Sequence, residues 1–153
     1  MRLEKYITEK RNIGKIYFAH PRATYSKSGE REALRMLKSS YPNYIIVNPN
    51  SEKIQGRYDY KGMGFEIFYK VIDTAEMIAV LPLKNGKITF GSWRECEYAH
   101  RKGKKIISVD PSRNKIEEVD FFSLRKLTAE ETYDLIDPTV RSNFKMYEEY
   151  DET

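Results

Sequence analysis

The segment from Phe90 to His100, Phe-Gly-Ser-Trp-Arg-Glu-Cys-Glu-Tyr-Ala-His, holds the residues best spaced to do chemistry. A glycine-bearing loop, Lys84-Asn85-Gly86-Lys87, precedes it, and before that comes the apolar run Met77-Ile78-Ala79-Val80-Leu81. Buried strand, loop, helix start is the order by which an α/β sheet sets a reactive group above the carboxyl ends of its strands. The group here is the Glu95 carboxylate. Residues 92 to 95 also spell a capping box, Ser-x-x-Glu, in which Glu95 would bond back to the Ser92 N–H and favour the positive end of the helix dipole. Two roles compete for one side chain: a carboxylate offered to a ligand, or one that closes its own helix. In either role a glutamate near its ordinary ~4.3 is ionised at neutral pH.

The elements that must position this group fit one domain spanning residues 1–153, with its core over 13–136 and an acidic, frayed tail at 147–153. No apolar run approaches the ~20 residues of a membrane helix. Met1-Arg2-Leu3-Glu4-Lys5 lacks the apolar core of a signal peptide, which places the protein in the cytoplasm. A single cysteine, Cys96, excludes an intramolecular disulfide and a cysteine-rich zinc site. Lysine and arginine number 27 against 23 acidic residues, a mild excess of +4 spread along the chain. The densest basic cluster, Arg101-Lys102-Gly103-Lys104-Lys105, falls where a helix should end and cations are favoured. A solvated helix end, rather than a nucleic-acid surface, is the reading preferred for it.

Ile13 to Ala19 reads as the first strand, halted by His20-Pro21. Ala33, Leu34 and Leu37 share one face of a helix that starts at Glu30 and ends at Ser39-Ser40. Tyr44 to Val47 is a second strand, and Ser51 to Lys61 an unpatterned loop. Gly62 to Asp73 is helical, with Ile67 and Val71 in one row and Phe68 and Ile72 beside it. Met77 to Leu81 and Lys105 to Val109 are the third and fourth strands. The helix between them, starting at the Ser92 box, turns Cys96 and Ala99 inward. A fifth strand comes from Ile116 to Phe122 or from Phe121 to Lys126. Thr128-x-x-Glu131 is a capping box for a last helix running to about Ile136. Alternating strands and helices, with nearly continuous apolar strands, predict a three-layer α/β fold: a parallel five-stranded sheet, flavodoxin/Rossmann-like, in the order 2-1-3-4-5. The loops after strands one, two and three then share one rim.

Three segments carry a family resemblance: Ile16-Tyr17-Phe18-Ala19-His20-Pro21, Asn48-Pro49, and Gly91-Ser92-x-x-Glu95-x-x-Tyr98-Ala99-x-x-x-Gly103-Lys104. Together, over residues 13 to 109, they resemble the nucleoside 2-deoxyribosyltransferase-like superfamily, which includes the 2′-deoxynucleoside 5′-monophosphate N-glycosidases. The resemblance implies that Glu95 is the nucleophile that attacks the anomeric carbon and forms a glycosyl-enzyme intermediate. It implies Tyr17, His20, Arg22 and Tyr25 as contacts to base or phosphate, with Asn48, Gly91 and Ser92 completing the substrate-binding set. Ser26, Lys27 and Ser28 beside Arg22 favour a 5′-monophosphate. No metal or organic cofactor is implied, and a homodimer is. This sequence departs from the family pattern at Phe68 and Thr89, where relatives carry aspartates, at Glu97, where a glycine is usual, and at His20, where Gly-Pro is commoner than His-Pro. Losing the acid that protonates the leaving base removes help typically worth ~10²–10⁴-fold. Two expectations follow: cleavage or transfer at the N-glycosidic bond of a nucleoside or nucleotide, or a non-catalytic nucleotide-binding domain on the same fold.

Overall fold

The computed structural model describes residues 14–21, 27–49 and 66–135. Within them, strand Lys15–Ala19 (β1) leads to helix Ser28–Ser40 (α1) and strand Ile45–Val47 (β2). Helix Glu66–Asp73 (α2), strand Met77–Val80 (β3), helix Phe90–Arg101 (α3) and strand Lys105–Asp110 (β4) follow. Strand Lys115–Glu118 (β5), a 3₁₀ turn at Phe121–Ser123 and helix Ala129–Asp134 (α4) complete the order. The strands form one sheet in the order β2-β1-β3-β4-β5, as the sequence predicts.

Successive strand residues point to opposite faces, and here both faces are buried. Tyr17, Ala19, Ile78, Val80 and Ile106 meet Ile67, Phe68 and Ile72 of α2 and Cys96 and Ala99 of α3. Ile16, Phe18, Met77, Ala79 and Ile107 meet Ala33 and Leu37 of α1 on the other side. β3 is buried at all four positions, which is why its sequence shows no alternation. It lies between β1 and β4 and is parallel to both, with Tyr17, Ile78 and Ile106 in register.

One expectation fails. β5 runs antiparallel to β4, not parallel, with Asp110 paired to Lys115 and Ser108 to Glu117. A parallel partner needs a long crossover connection. Only Pro111 to Asn114 separate these strands, closed by the Arg113 N–H to Asp110 O bond (3.2 Å) and Asn114 at φ 50°. Asparagine tolerates that left-handed conformation, so the chain turns back as a hairpin.

α3 ends as its sequence suggests. Gly103 takes φ +72°, and the N–H groups of Gly103 and Lys104 bond to His100 O and Ala99 O (2.9 Å each). That left-handed closure satisfies carbonyls which the helix leaves unpaired. The basic cluster is engaged locally: Arg101 with Glu97 (3.3 Å), Lys105 with Glu118 (3.6 Å), and Lys104 Nζ donating to Ala75 O (2.5 Å). Among the described residues, no helix is long and apolar enough to cross a membrane. Positions 136–153, including the expected tail, lie outside them.

Ile78→Ala opens a hole at the centre of the sheet and costs roughly 2–5 kcal/mol in urea unfolding. Ile45→Ala, on an edge strand and 49% exposed, costs under about 1 kcal/mol in the same measurement.

Candidate functional site

Where α3 starts decides what Glu95 can do. The Ser92 capping box does not form. The N-cap is Thr89, in extended conformation, whose hydroxyl accepts the Ser92 N–H (3.4 Å) and donates to Ser92 Oγ (3.0 Å). A short hydroxyl side chain caps from this position because it reaches the N–H three residues on. The helix therefore begins one turn earlier than the Ser92 motif predicts, and Glu95 sits in its second turn. From there the carboxyl points into the sheet. The capping role is excluded by geometry.

Glu95 is 7% exposed and accepts a hydrogen bond at Oε2 from the Tyr17 hydroxyl of β1. Tyr17 itself is fully buried. Burial pushes the Glu95 carboxyl up to about 8, and the Tyr17 bond, which favours the charged form, opposes that rise. The expectation of an ordinary, permanently ionised glutamate is thus overturned by desolvation: at neutral pH the carboxyl is mostly protonated. Cys96, next in sequence, is fully buried, and its thiol is pushed up by the same desolvation and by Glu95. It is a protonated core thiol.

His20 follows β1 and lies on the opposite face, stacked on Phe18 with ring centroids 4.1 Å apart. It is 4% exposed and both ring nitrogens are engaged. Nδ1–H donates to Phe18 O (3.0 Å), because a carbonyl can only accept; Nε2 meets Glu30 Oε2 at 2.7 Å with one proton between them. Glu30, 5% exposed in the first turn of α1, went unnoticed in the sequence. An acidic residue in a helix's first turn is ordinary there, so nothing local marks it as the partner of a histidine ten residues earlier.

Gly91 and Ser92 are buried in the first turn of α3. That turn is largely satisfied from within: Phe90 N–H donates to the Thr132 hydroxyl of α4 (2.8 Å), and Ser92 N–H to Thr89. Among the described residues, the Gly91 N–H and the Ser92 hydroxyl proton have no hydrogen-bond acceptor. Asn48 follows β2 on the same rim as the carboxyl end of β1, half-buried. Arg22, Tyr25 and Ser26 lie outside the described residues, while Lys27 and Ser28 are exposed where α1 starts.

Two of the departures from the family pattern, Phe68 and Thr89, have structural employment. Phe68 is 6% exposed and fills the core between α2 and the sheet. Thr89 is the N-cap. Asp73, at the end of α2, accepts the Tyr98 hydroxyl (2.6 Å), which holds that phenol up at about 12. Tyr98 stacks on Tyr69 at 4.3 Å, so this group ties α2 to α3. Trp93 carries Lys126 over its ring at 3.7 Å and leans on Phe121. Among the described residues, no group of three or more histidine, cysteine, aspartate or glutamate side chains is arranged to hold a metal ion.

Comparison with known proteins finds no matching family model, no matching curated protein and no matching solved structure.

The raised Glu95 has a consequence for stability whose sign follows from proton linkage. Between about 4.5 and 8 the folded protein holds a proton at Glu95 that the unfolded chain has released. Its contribution is therefore complete below about 4.5, declines as pH rises, and is lost above about 8. Glu95→Gln, neutral at every pH, should gain on wild type by on the order of 3 kcal/mol between pH 5 and pH 9 in paired urea titrations. A second expected outcome concerns the cap: Thr89→Ala costs about 1–2 kcal/mol, and Thr89→Ser restores most of it.

Proposed function

We propose that the protein cleaves or exchanges the N-glycosidic bond of a nucleoside or nucleoside 5′-monophosphate, with Glu95 as nucleophile. The observation that carries this reading is the direction of the Glu95 side chain: away from its own helix cap, toward Tyr17 of the central strand pair. The family resemblance at Gly91-Ser92-x-x-Glu95-x-x-Tyr98-Ala99 supplies the reaction class.

In this scheme the ionised Glu95 oxygen bonds to the anomeric carbon as the carbon–nitrogen bond breaks. The electron pair leaves with the base, which takes a proton from water. A second water, or another base in the exchange reaction, then attacks the same carbon and releases the carboxylate. Tyr17 acts on Glu95 and not on the sugar: its hydroxyl stabilises the anion and sets which oxygen faces the substrate. No carboxylic acid stands at Phe68 or Thr89 to protonate the leaving base. The His20–Glu30 pair is a proton-bearing couple at the end of the same strand, held by both ring nitrogens.

A second reading is a nucleotide-binding domain without chemistry. The burial of Phe68 in the core and the use of Thr89 as a cap favour it, because both replacements serve folding. It predicts a ligand-dependent rise in melting temperature with no free base formed.

Incubation with a panel of deoxynucleosides and their 5′-monophosphates, assayed for free base, tests the first reading. Glu95→Gln is expected to abolish release; undiminished release from that variant removes Glu95 from the mechanism. The kcat/KM profile should rise with pH through about 8, as the free enzyme loses the Glu95 proton. Tyr17→Phe removes the bond that holds the carboxyl down, so the rise should move to higher pH and activity at pH 7 should fall roughly tenfold per unit moved.

A further inference from the structure

Along β4, the residues that alternate onto the face of Ile106 change character toward the carboxyl end: Ile106, then the half-buried Ser108, then Asp110. A polar residue on a sheet's covered face carries a desolvation cost unless something there uses it. Both polar residues line a hollow of about 370 Å³ that opens where β3 and β4 end, against β5 and the segment from Val119 to Arg125. This is within the size range of small-molecule sites. Neither Tyr17 nor Glu95 lines it.

The walls differ in kind. Val80, Pro82, Ile88, Val119 and Leu124 supply the apolar part of the lining. Asp110, Arg113, Lys115, Glu117 and Arg125 bring three cations and two carboxylates to the rest. Both carboxylates are already matched: Asp110 by Arg113 at 2.6 Å and Glu117 by Lys115 at 3.0 Å. Arg125 is the remaining charge. Its guanidinium donates one bond, to the Asn85 carbonyl (3.3 Å), and no carboxylate pairs with it among the described residues. The Ser108 hydroxyl makes no hydrogen bond to the protein among those residues either. A guanidinium with donors to spare matches an oxyanion in charge and in planar geometry.

We propose that this hollow is a second binding site, distinct from the one around Glu95, for a small amphiphilic anion: an apolar body lies against Val80, Ile88 and Leu124, and its carboxylate or phosphate ester meets Arg125 and Ser108. The apolar wall selects against inorganic anions, and the unmatched guanidinium selects against neutral molecules of the same shape.

Calorimetric titration with phenyl phosphate, benzoate and phenol, combined with amide chemical-shift mapping, tests it. At least one anion is expected to bind saturably and about 10- to 100-fold tighter than phenol. The shifts should centre on Ser108, Val119 and Arg125. Preference for phenyl phosphate or for benzoate identifies which oxyanion the site takes. Arg125→Gln should forfeit most of the advantage over phenol, and Ser108→Val, which keeps the side-chain shape, should weaken the anion by a smaller factor. Glu95→Gln should leave this binding unchanged, whether or not it abolishes base release. No saturable binding, equal affinity for phenol, indifference to both Arg125→Gln and Ser108→Val, or loss on Glu95→Gln would each overturn the proposal. The last outcome would assign the anion to the Glu95 site and leave the proposed function standing.

Discussion

A tyrosine hydroxyl in the middle of a parallel strand and a carboxyl on the helix above it meet inside the protein, largely shielded from bulk water. Each would be costly there alone, since a buried polar group without a partner forfeits its hydration for nothing. Together they bind α3 to β1 across the sheet's face. Desolvation outweighs the hydrogen bond in setting the Glu95 proton equilibrium, so the pair rests uncharged at neutral pH and becomes a charge-assisted bond once the proton leaves. That ordering of effects, burial first and hydrogen bond second, makes Glu95 responsive near neutrality, where an exposed glutamate would be spent.

The other face of β1 repeats the theme with different chemistry. His20 and Glu30 are hydrogen-bonded beneath α1, and the Phe18 carbonyl fixes which ring nitrogen points where. β1 thus has a buried polar pair on each side: Tyr17 with Glu95 at its middle, and His20 with Glu30 just past its carboxyl end. These pairs hold helices to the sheet. Either pair losing one member would strand the other, so structural and chemical roles are not separable by simple deletion.

Helix α3 depends on its first turn being closed from three directions. Thr89 caps Ser92, Thr132 of α4 takes the Phe90 N–H, and the Ile88 carbonyl accepts from Leu127 (2.8 Å). The segment after β5 therefore serves as a clamp on the helix that carries Glu95. Residues so far along the chain thereby bear on the Tyr17–Glu95 contact between β1 and α3.

Much was legible in the sequence because it depends on local pattern. Continuous apolar runs located the strands, the spacing of Ala33 and Leu37 located α1, Thr128 with Glu131 marked a capping box that forms as written, and short connections led to the strand order. Glu95 and Tyr17 were both singled out, as nucleophile and as ligand contact, and the structure joins the two by a hydrogen bond. What local pattern misplaced was the start of α3. The sequence pointed to Ser92-x-x-Glu95 as the cap, whereas the helix starts a turn earlier at Thr89, with Phe90 and Gly91 buried in its first turn. The direction of β5 turned on a four-residue hairpin, a matter of backbone geometry. The pairing of Tyr17 with Glu95 and of His20 with Glu30, and the raised carboxyl, came from tertiary structure alone. Partners distant in sequence and the water they exclude are defined only once the chain has closed.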